Sequence, residues 1–252
     1  MKQCVRRYIR ATFAFMLIAS ALFGRTAIAE PLNLGFAMRP GMAELVSGAP
    51  VGTYLPLAAQ IAKTAHVDIV WKQLPQNRLI EEARDNTPNY CAVGIYKTVE
   101  RSAFAKFTQA FYHDKPLVVV AMKDKASAIR NHANFAALAA DTKFTVGILD
   151  GFSYGPKLDA VIAKMAGNID RVAGTPMQNL SKLAAGRVDY LIASSNETPR
   201  GAVGTIVDPK DLVLIEFADM APGASRHFMC SKAVDDATIE RLNTAIHTLH
   251  IP

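Results

Sequence analysis

The sequence has few of the residues that bind metals. It contains six histidines and three cysteines in 252 residues, and the histidines show no ligand spacing with one another or with the cysteines. This pattern argues against a metal site, and no cofactor is expected. No stretch is low in complexity and no internal repeat is found. Because half of the residues are apolar, a packed globular core is predicted throughout.

The chain also lacks a long apolar run, apart from one at its start. Met1 to Arg10 is basic and carries no acid, and Ala11 to Gly24 is apolar but too short for a comfortable membrane span. Small residues at Ala27 and Ala29 precede a typical mature start. We therefore predict a signal peptide over 1–29 that is removed on export to the periplasm, in preference to an uncleaved anchor. No cysteine follows the run as a lipoprotein signal requires, so a soluble mature chain is expected.

A basic surface is missing once this segment is removed. The full sequence has a formal charge of +6, but five basic residues lie within 1–29, which leaves 23 basic residues against 22 acids. Proteins that bind nucleic acid usually keep a basic patch in the folded domain. The mature charge of +1 therefore gives no support to nucleic-acid binding.

Cysteine is scarce, and the same cleavage changes its count from odd to even. Cys4 leaves with the signal peptide, and Cys91 and Cys230 remain in an oxidising compartment, where paired thiols usually close. A disulfide between them is predicted. The competing interpretation is that both are small buried hydrophobic residues that never meet.

Strand-like and helix-like segments alternate along the mature chain. This alternation predicts an α/β fold with parallel sheets covered by helices, and the length from residue 30 allows one large domain or two lobes. Strands are predicted at 32–36, 67–71, 91–95, 117–121, 143–149, 188–192 and 212–215, and helices at 54–65, 78–84, 134–140, 157–166, 177–185 and 236–249.

The segment Thr98-Val99-Glu100-Arg101, followed by Phe104 to Tyr112, carries the most specific pattern. It resembles the T-x-E-R segment of family 3 solute-binding proteins, the type II periplasmic binding proteins. In that family the arginine forks onto a carboxylate of the captured solute, which suits a planar, permanently charged donor. The resemblance makes Arg101 the first candidate for ligand binding. The alternative is that Thr98 only caps a helix, with Arg101 on its solvated face.

The resemblance spans nearly the whole mature chain and implies its architecture. Proteins of this family have a type II fold of two α/β lobes, each a mainly parallel sheet flanked by helices, with the ligand in the cleft between them. By analogy lobe 1 comprises 30–117 and 226–252, and lobe 2 comprises 118–225. Cys91 and Cys230 then fall in the same lobe, on segments that are neighbouring strands in the family.

The second lobe of the family offers a G-T-T or G-T-S turn whose N–H groups and hydroxyl complete the carboxylate site. The matching stretch here is Gly151-Phe152-Ser153, just before a helix that starts near Pro156. A helix start with free N–H groups favours an anion, so we expect Ser153 to contact the ligand. The alternative is a capping serine with no ligand contact.

The same stretch matches G-x-S-x-G, the nucleophile elbow of α/β-hydrolases. The order Ser153, then Asp189 or Asp208, then His227 also follows the hydrolase order. No HGG-type oxyanion segment lies upstream, and Pro156 follows where an elbow runs straight into a helix. The serine hydrolase is therefore kept only as an alternative.

Three positions depart from the family pattern. Ser194 replaces the aspartate that usually holds the ammonium group of an amino acid, and Glu197 is either its substitute or a solvated loop residue. Tyr96 stands where a serine or threonine often precedes the arginine. Pro56 replaces the aspartate of a family helix start. An α-amino acid is thus plausible as the solute without being fixed.

Together these patterns predict a non-enzymatic periplasmic protein that captures a small anionic or zwitterionic, amino-acid-like solute by lobe closure. The expected partner is an ABC permease or a membrane sensor, and the protein is expected to be a monomer. A sensor or accessory module on the same scaffold is the other alternative. The predicted ligand-binding residues are Arg101, Ser153, Tyr96, Phe152, Thr98, Gly151 and Ser194.

Overall fold

The computed structural model describes residues 30–39, 41–165, 167–195, 206–220 and 222–250. The predicted signal peptide and Glu197 lie outside these residues. The described part contains eight α-helices and thirteen β-strands. None of these helices is long and apolar enough to span a bilayer.

The first sheet is built from residues 32–113 and 225–231. Its strands are β1 (Leu32–Phe36), β4 (Ile69–Gln73), β5 (Tyr90–Tyr96), β6 (Ala105–Phe107), β7 (Tyr112–His113) and β13 (Ser225–Ser231). The order is β4-β1-β5-β13-β6, with β7 also paired to β13. Only β13 runs against the other described strands of this sheet. The central strands are buried along nearly their whole length, as expected for parallel strands covered on both faces.

Helices cover both faces of this sheet. They are α1 (Leu55–Thr64), α2 (Gln76–Arg84), α3 (Val99–Phe104) and α8 (Asp236–Thr248). The same part of the chain also forms a separate antiparallel hairpin of β2 (Glu44–Val46) and β3 (Ala49–Val51). On one face, Leu34 and Phe36 pack with Ile61 of α1 and Leu242 of α8. On the other face, Leu79 of α2 packs on the sheet.

The second sheet uses the middle of the chain. Its strands are β8 (Leu117–Met122), β9 (Val146–Leu149), β10 (Ile169–Val172), β11 (Tyr190–Ser194) and β12 (Leu212–Ile215), in the order β10-β9-β11-β8-β12. Here β8 is the described strand that runs against the others. The helices α4 (Lys123–Arg130), α5 (Phe135–Ala140) and α6 (Pro156–Ile162) share one apolar cluster with the sheet, and α7 (Pro176–Ala184) packs on the opposite face.

The two sheets define two lobes, called lobe 1 and lobe 2 after the first and second sheet. The predicted fold class, two α/β lobes with mostly parallel strands, is confirmed. The boundaries at 117/118 and 225/226 stay predictions, although β8 already begins at Leu117.

Two chain segments cross between the lobes side by side. The Asp114 N–H donates to the Ala224 carbonyl at 3.0 Å. A Cβ on Gly223 would lie 1.5 Å from the Asp114 carbonyl oxygen, so only glycine permits this close approach of the two crossing segments.

The predicted disulfide is confirmed. Cys91 on β5 lies directly opposite Cys230 on β13, and the two residues, 139 positions apart in sequence, are joined by an S–S bond. Both are fully buried in the core of lobe 1. Because all of lobe 2 is inserted between them, the bond closes a loop that contains the second sheet.

Removing this bond should destabilise the protein. In the chain-entropy picture, a loop of this length gives about 3–5 kcal/mol. The double variant Cys91→Ala/Cys230→Ala should therefore unfold at a lower urea concentration than the wild type. Dithiothreitol should lower the midpoint of the wild type and leave that of the variant unchanged. Equal midpoints for the two oxidised proteins would contradict the prediction.

Candidate ligand-binding site

A cavity lies between the two lobes. Its volume is about 80 Å³. Lobe 1 contributes Arg39, Gln76, Tyr96, Arg101 and Arg226, among others. Lobe 2 contributes Phe152, Ser153, Asn179, Leu191 and Ser194, among others. Five of the seven predicted ligand-binding residues line this cavity. The other two, Gly151 and Thr98, line a second pocket that shares Arg101, Phe152 and Ser153 with the first.

Arg101 lies in the first turn of α3 and points into the cleft. The Thr98 hydroxyl caps the helix by accepting from the Arg101 N–H at 3.1 Å. The side chain of Arg101 is only 8% exposed, so the alternative that it lies on a solvated face is wrong, although Thr98 does cap. Nη1 donates to the Tyr96 carbonyl at 2.8 Å and Nη2 to the Gly151 carbonyl of lobe 2 at 3.0 Å.

The electrostatics of Arg101 follow from its burial. Desolvation lowers the pKa of Arg101, and the carboxylates of Asp159 and Glu100 oppose that shift. The charge of Arg39 acts in the same direction as burial. Guanidinium groups stay protonated in proteins, so the cleft holds a buried cation whose hydrogen bonds to Tyr96 and Gly151 go to neutral carbonyl oxygens. A carboxylate is a better acceptor for such a group.

The turn after β9 meets three side chains of lobe 1. The Asn77 amide donates to Asp150 Oδ2 at 2.8 Å, and the Arg39 guanidinium lies 4.3 Å from the centre of the Phe152 ring. Between these two contacts, the Arg101 guanidinium donates a hydrogen bond to the Gly151 carbonyl. Gly151 has φ +73°, and a Cβ there would lie 1.7 Å from Asn77 Oδ1. Only glycine fits this turn, which therefore closes tightly on lobe 1.

Ser153 is engaged within its own loop. Its hydroxyl donates to Asp159 Oδ2 at 2.6 Å and accepts from the Gly155 N–H at 3.2 Å. Asp159 Oδ1 accepts from the Tyr154 N–H at 2.8 Å. The residue at the start of α6, Gly155, has no side-chain capping bond, so Ser153 does not act as the cap of this helix. Ser153 also lines the cavity, and its contact with a ligand stays a prediction.

The residues of the hydrolase alternative are not brought together. His227 lies in lobe 1, where its Nδ1 is 2.9 Å from the Thr108 carbonyl oxygen and burial lowers its pKa. Asp189 accepts from the Thr145 N–H and pairs with Lys125. Neither residue contacts Ser153, whose hydroxyl is bonded to Asp159. The Ser-His-Asp arrangement needed for nucleophilic catalysis is therefore absent among these residues.

We expect no reaction at Ser153. A fluorophosphonate should leave the protein unlabelled, and activated esters should not be hydrolysed above the rate of a Ser153→Ala variant, because the hydroxyl donates to the Asp159 carboxylate and not to the imidazole of His227. Intact-mass measurement checks the labelling. Stoichiometric labelling of the wild type that is lost in Ser153→Ala would overturn the non-enzymatic interpretation.

Tyr96 and Ser194 face the segments that cross between the lobes. The Tyr96 hydroxyl donates to Asp114, and the fully buried Ser194 donates to the Lys115 carbonyl at 3.0 Å. Both residues line the cavity while anchoring the hinge. Glu197, the alternative position for an ammonium-binding acid, lies outside the described residues.

Sequence reasoning missed Arg226, which lines the cavity from β13 and is 2% exposed. Its Nε and Nη2 lie 2.9 and 2.7 Å from the two carboxylate oxygens of Asp114, and Nη1 donates to the Gly94 carbonyl at 2.8 Å. The guanidinium carbon also lies 5.1 Å from the centre of the Tyr54 ring and 4.9 Å from the centre of the Tyr96 ring. Its position in the sequence carries no local motif, since no strand was predicted there from the sequence pattern.

Comparisons with known proteins agree with this architecture. No family model matches the chain, and no curated protein matches it. Among solved structures, the arginine-, lysine-, histidine-binding protein ArtJ from Geobacillus stearothermophilus matches with a TM-score of 0.71 at 18% identity, covering 88% of this chain and 90% of its own.

Two further structures give a similar result. A point mutant of arginine-bound ArgBP from T. maritima has a TM-score of 0.67 at 20% identity, covering 86% of this chain and 95% of its own. The L-arginine-bound substrate-binding protein AbpA from Streptococcus pneumoniae has a TM-score of 0.64 at 19% identity, covering 86% and 89%. The fold is therefore that of two-lobe substrate-binding proteins. The resemblance predicted from the sequence is confirmed at the level of the fold.

Proposed function

We propose that this protein is a periplasmic solute-binding protein that captures a small carboxylate-bearing solute between its lobes for an ABC transporter. The observation that carries the proposal is the placement of Arg101. It is a buried cation in the cleft, and it donates to one carbonyl of its own lobe and one of the other lobe. A guanidinium presents two parallel donors that match a carboxylate.

The same contact explains how a solute would act on the lobes. A solute carboxylate on Arg101 would replace the Gly151 carbonyl with a stronger, charge-assisted acceptor. Phe152 and Ser153 of lobe 2 would lie against the solute from the other side, with Tyr96 and Ser194 at the hinge end of the cavity. Contacts to both lobes would favour the closed state, since a ligand shifts an equilibrium by its differential affinity.

The fold neighbours support the transport part of the proposal. ArtJ is described as binding arginine, lysine and histidine, and AbpA as the substrate-binding protein of an amino acid ABC transporter. By analogy we assign this chain the same role and the same kind of membrane partner. We further propose cleavage after Ala29, action as a monomer, and lobes at 30–117 with 226–252 and at 118–225.

A ligand screen on protein purified from the periplasm tests the proposal. Amino acids, small organic acids and oligopeptides are added at millimolar concentration, and the melting temperature is measured. A ligand at 100 times its Kd stabilises the folded state by about 2.7 kcal/mol, which is easily seen. We expect at least one carboxylate to raise the melting temperature, with calorimetric titration to confirm it. Failure of every carboxylate, with the protein folded by circular dichroism, would defeat the proposal.

A further inference from the structure

Three of the contacts described above join the turn after β9 to lobe 1. Two of them touch the cavity, because Arg101 and the pair of Arg39 and Phe152 are among the residues that line it. The third is the hydrogen bond from the Asn77 amide to Asp150 Oδ2 at 2.8 Å. Neither Asn77 nor Asp150 lines the cavity. A solute bound in the cavity would therefore leave this third contact in place.

The hydrogen bond between Asn77 and Asp150 lies where two other pockets meet. Both residues line the second pocket, and both also line a third pocket, which is bordered by Met38, Leu74 and Pro176. The contact thus joins the two lobes outside the space that a solute would fill.

Each of the two residues is held by its own lobe. Asn77 is in the first turn of α2, whose Leu79 and Ile80 are buried against the first sheet. On the other lobe, the Asp150 N–H donates to the Val172 carbonyl of β10 at 2.8 Å. Because each backbone is tied to its own sheet, the hydrogen bond between the two side chains has to break when the lobes separate.

The charge of Asp150 fixes the orientation of the Asn77 amide. In the reverse orientation the amide oxygen would face a carboxylate oxygen, and both groups are acceptors. As placed, Asn77 Oδ1 is buried, has no hydrogen-bond partner among the described residues, and packs on Gly151. Closing the lobes therefore forms one hydrogen bond to a charged group but removes water from one amide oxygen. These opposed effects favour the closed arrangement without making it permanent.

We propose that Asn77 and Asp150 are positioning residues that form a latch, which favours the closed arrangement of the lobes whether or not a solute is bound. The consequence for affinity rests on the proposed solute-binding function. A hydrogen bond to a charged group changes an equilibrium constant by at least about tenfold. A solute that needs the closed state binds only the fraction of molecules that have it, so the latch would raise the affinity for every such solute alike.

Exchanging the two side chains tests the latch without altering the residues that line the cavity. Asn77→Asp replaces the donor by a carboxylate of the same shape and sets two like charges against each other, so it should favour the open arrangement. The double variant Asn77→Asp/Asp150→Asn restores a charged hydrogen bond in the reverse direction and should recover the wild-type equilibrium. Asn131→Asp, at the exposed end of α4, is the matched control.

Distances between spin labels on the two lobes measure this equilibrium without any solute. Ser102→Cys in α3 and Lys157→Cys in α6 provide exposed labelling sites on opposite lobes, and pulsed electron resonance gives the ratio of closed to open molecules. At mildly alkaline pH, which keeps both carboxylates ionised, Asn77→Asp should lower this ratio by at least about tenfold. The exchanged double variant and Asn131→Asp should stay within about threefold of the wild type.

An unchanged ratio in Asn77→Asp, with the protein folded by circular dichroism, would overturn the inference. A double variant that stays as open as Asn77→Asp would also overturn it, because the effect would then not come from the hydrogen bond. If Asn77→Asp does not fold, Asp150→Asn takes its place. That change keeps the shape of the acceptor and removes its charge, so it should lower the ratio by a smaller factor, and no change would contradict the latch.

The distance measurement uses no solute, so its result is separate from that of the ligand screen. If no carboxylate binds in the screen, the proposed function fails, and the measured distances still decide whether the latch exists. Where the screen identifies several carboxylates, calorimetric titration should show that Asn77→Asp weakens all of them by the same factor. Unequal factors would mean that Asn77 contacts the solute, which would overturn the inference while the solute-binding function stands.

Discussion

Replacing Arg101 by alanine should abolish solute binding while the protein stays folded. Hydrogen bonds to a charged group contribute about 1.5–3 kcal/mol each, so the loss of a two-bond contact to a carboxylate should weaken binding by at least about 100-fold. The fold should tolerate the change, because the side-chain hydrogen bonds of Arg101 named above go to two neutral carbonyl oxygens. Calorimetric titration with a ligand from the screen measures the affinity, and a melting curve checks the fold.

Two further variants make the Arg101 result specific. Arg101→Lys keeps the positive charge but loses the planar fork, so it should recover only part of the affinity. Arg78→Ala removes an arginine whose side chain is 55% exposed and which pairs with Glu82, and it should leave binding unchanged. If Arg101→Ala binds the ligand within twofold of wild type, Arg101 does not belong to the site.

Replacing Arg226 by alanine should strongly destabilise the protein. The change leaves the carboxylate of Asp114 buried without its cation, and it also removes the donor to the Gly94 carbonyl. Breaking a buried ion pair on one side costs about 3–5 kcal/mol. Urea denaturation should show this loss of unfolding free energy, and the melting temperature should fall accordingly.

Two further variants show whether the loss of stability in Arg226→Ala comes from the broken buried ion pair or from the removal of a positive charge in general. Lys210→Ala breaks an ion pair with Asp208 in which the lysine side chain is 76% exposed, and it should cost less than about 1 kcal/mol. The double variant Arg226→Met/Asp114→Leu should recover much of the stability lost in Arg226→Ala, since no charge remains buried. A loss below about 1 kcal/mol in Arg226→Ala would show that the pair adds little.

Sequence patterns predicted the longer and more apolar elements well. The strands β1, β5, β8 and β12 and the helices α1 and α8 lie within a few residues of their predicted positions. The helix α4 was missed because its sequence is mostly polar and only Ala126 and Ile129 are buried. The strand β13 was not found from its own pattern and was implied only by the family resemblance, because it begins with polar residues and pairs with strands more than a hundred residues away.

The candidate site shows the same limit of local information. Arg101 was found because it lies in a motif whose residues are consecutive in sequence. The Arg226–Asp114 pair was not predicted, because the two residues are 112 positions apart. No local sequence pattern indicates that one neutralises the other. The hydrogen bond between Ser153 and Asp159 was also not predicted, because it depends on the conformation of the turn that joins β9 to α6.

The disulfide has a mechanical consequence. Residues 30 and 250 both belong to segments outside the closed loop, and Cys91 and Cys230 join those segments covalently. A pulling force applied between residues 30 and 250 would pass through the S–S bond and bypass all residues between the cysteines. The second sheet would carry no load, so extension of the oxidised protein would release only the chain before Cys91 and after Cys230. The lobe that is free to swing about the hinge is thereby shielded from tension along the chain.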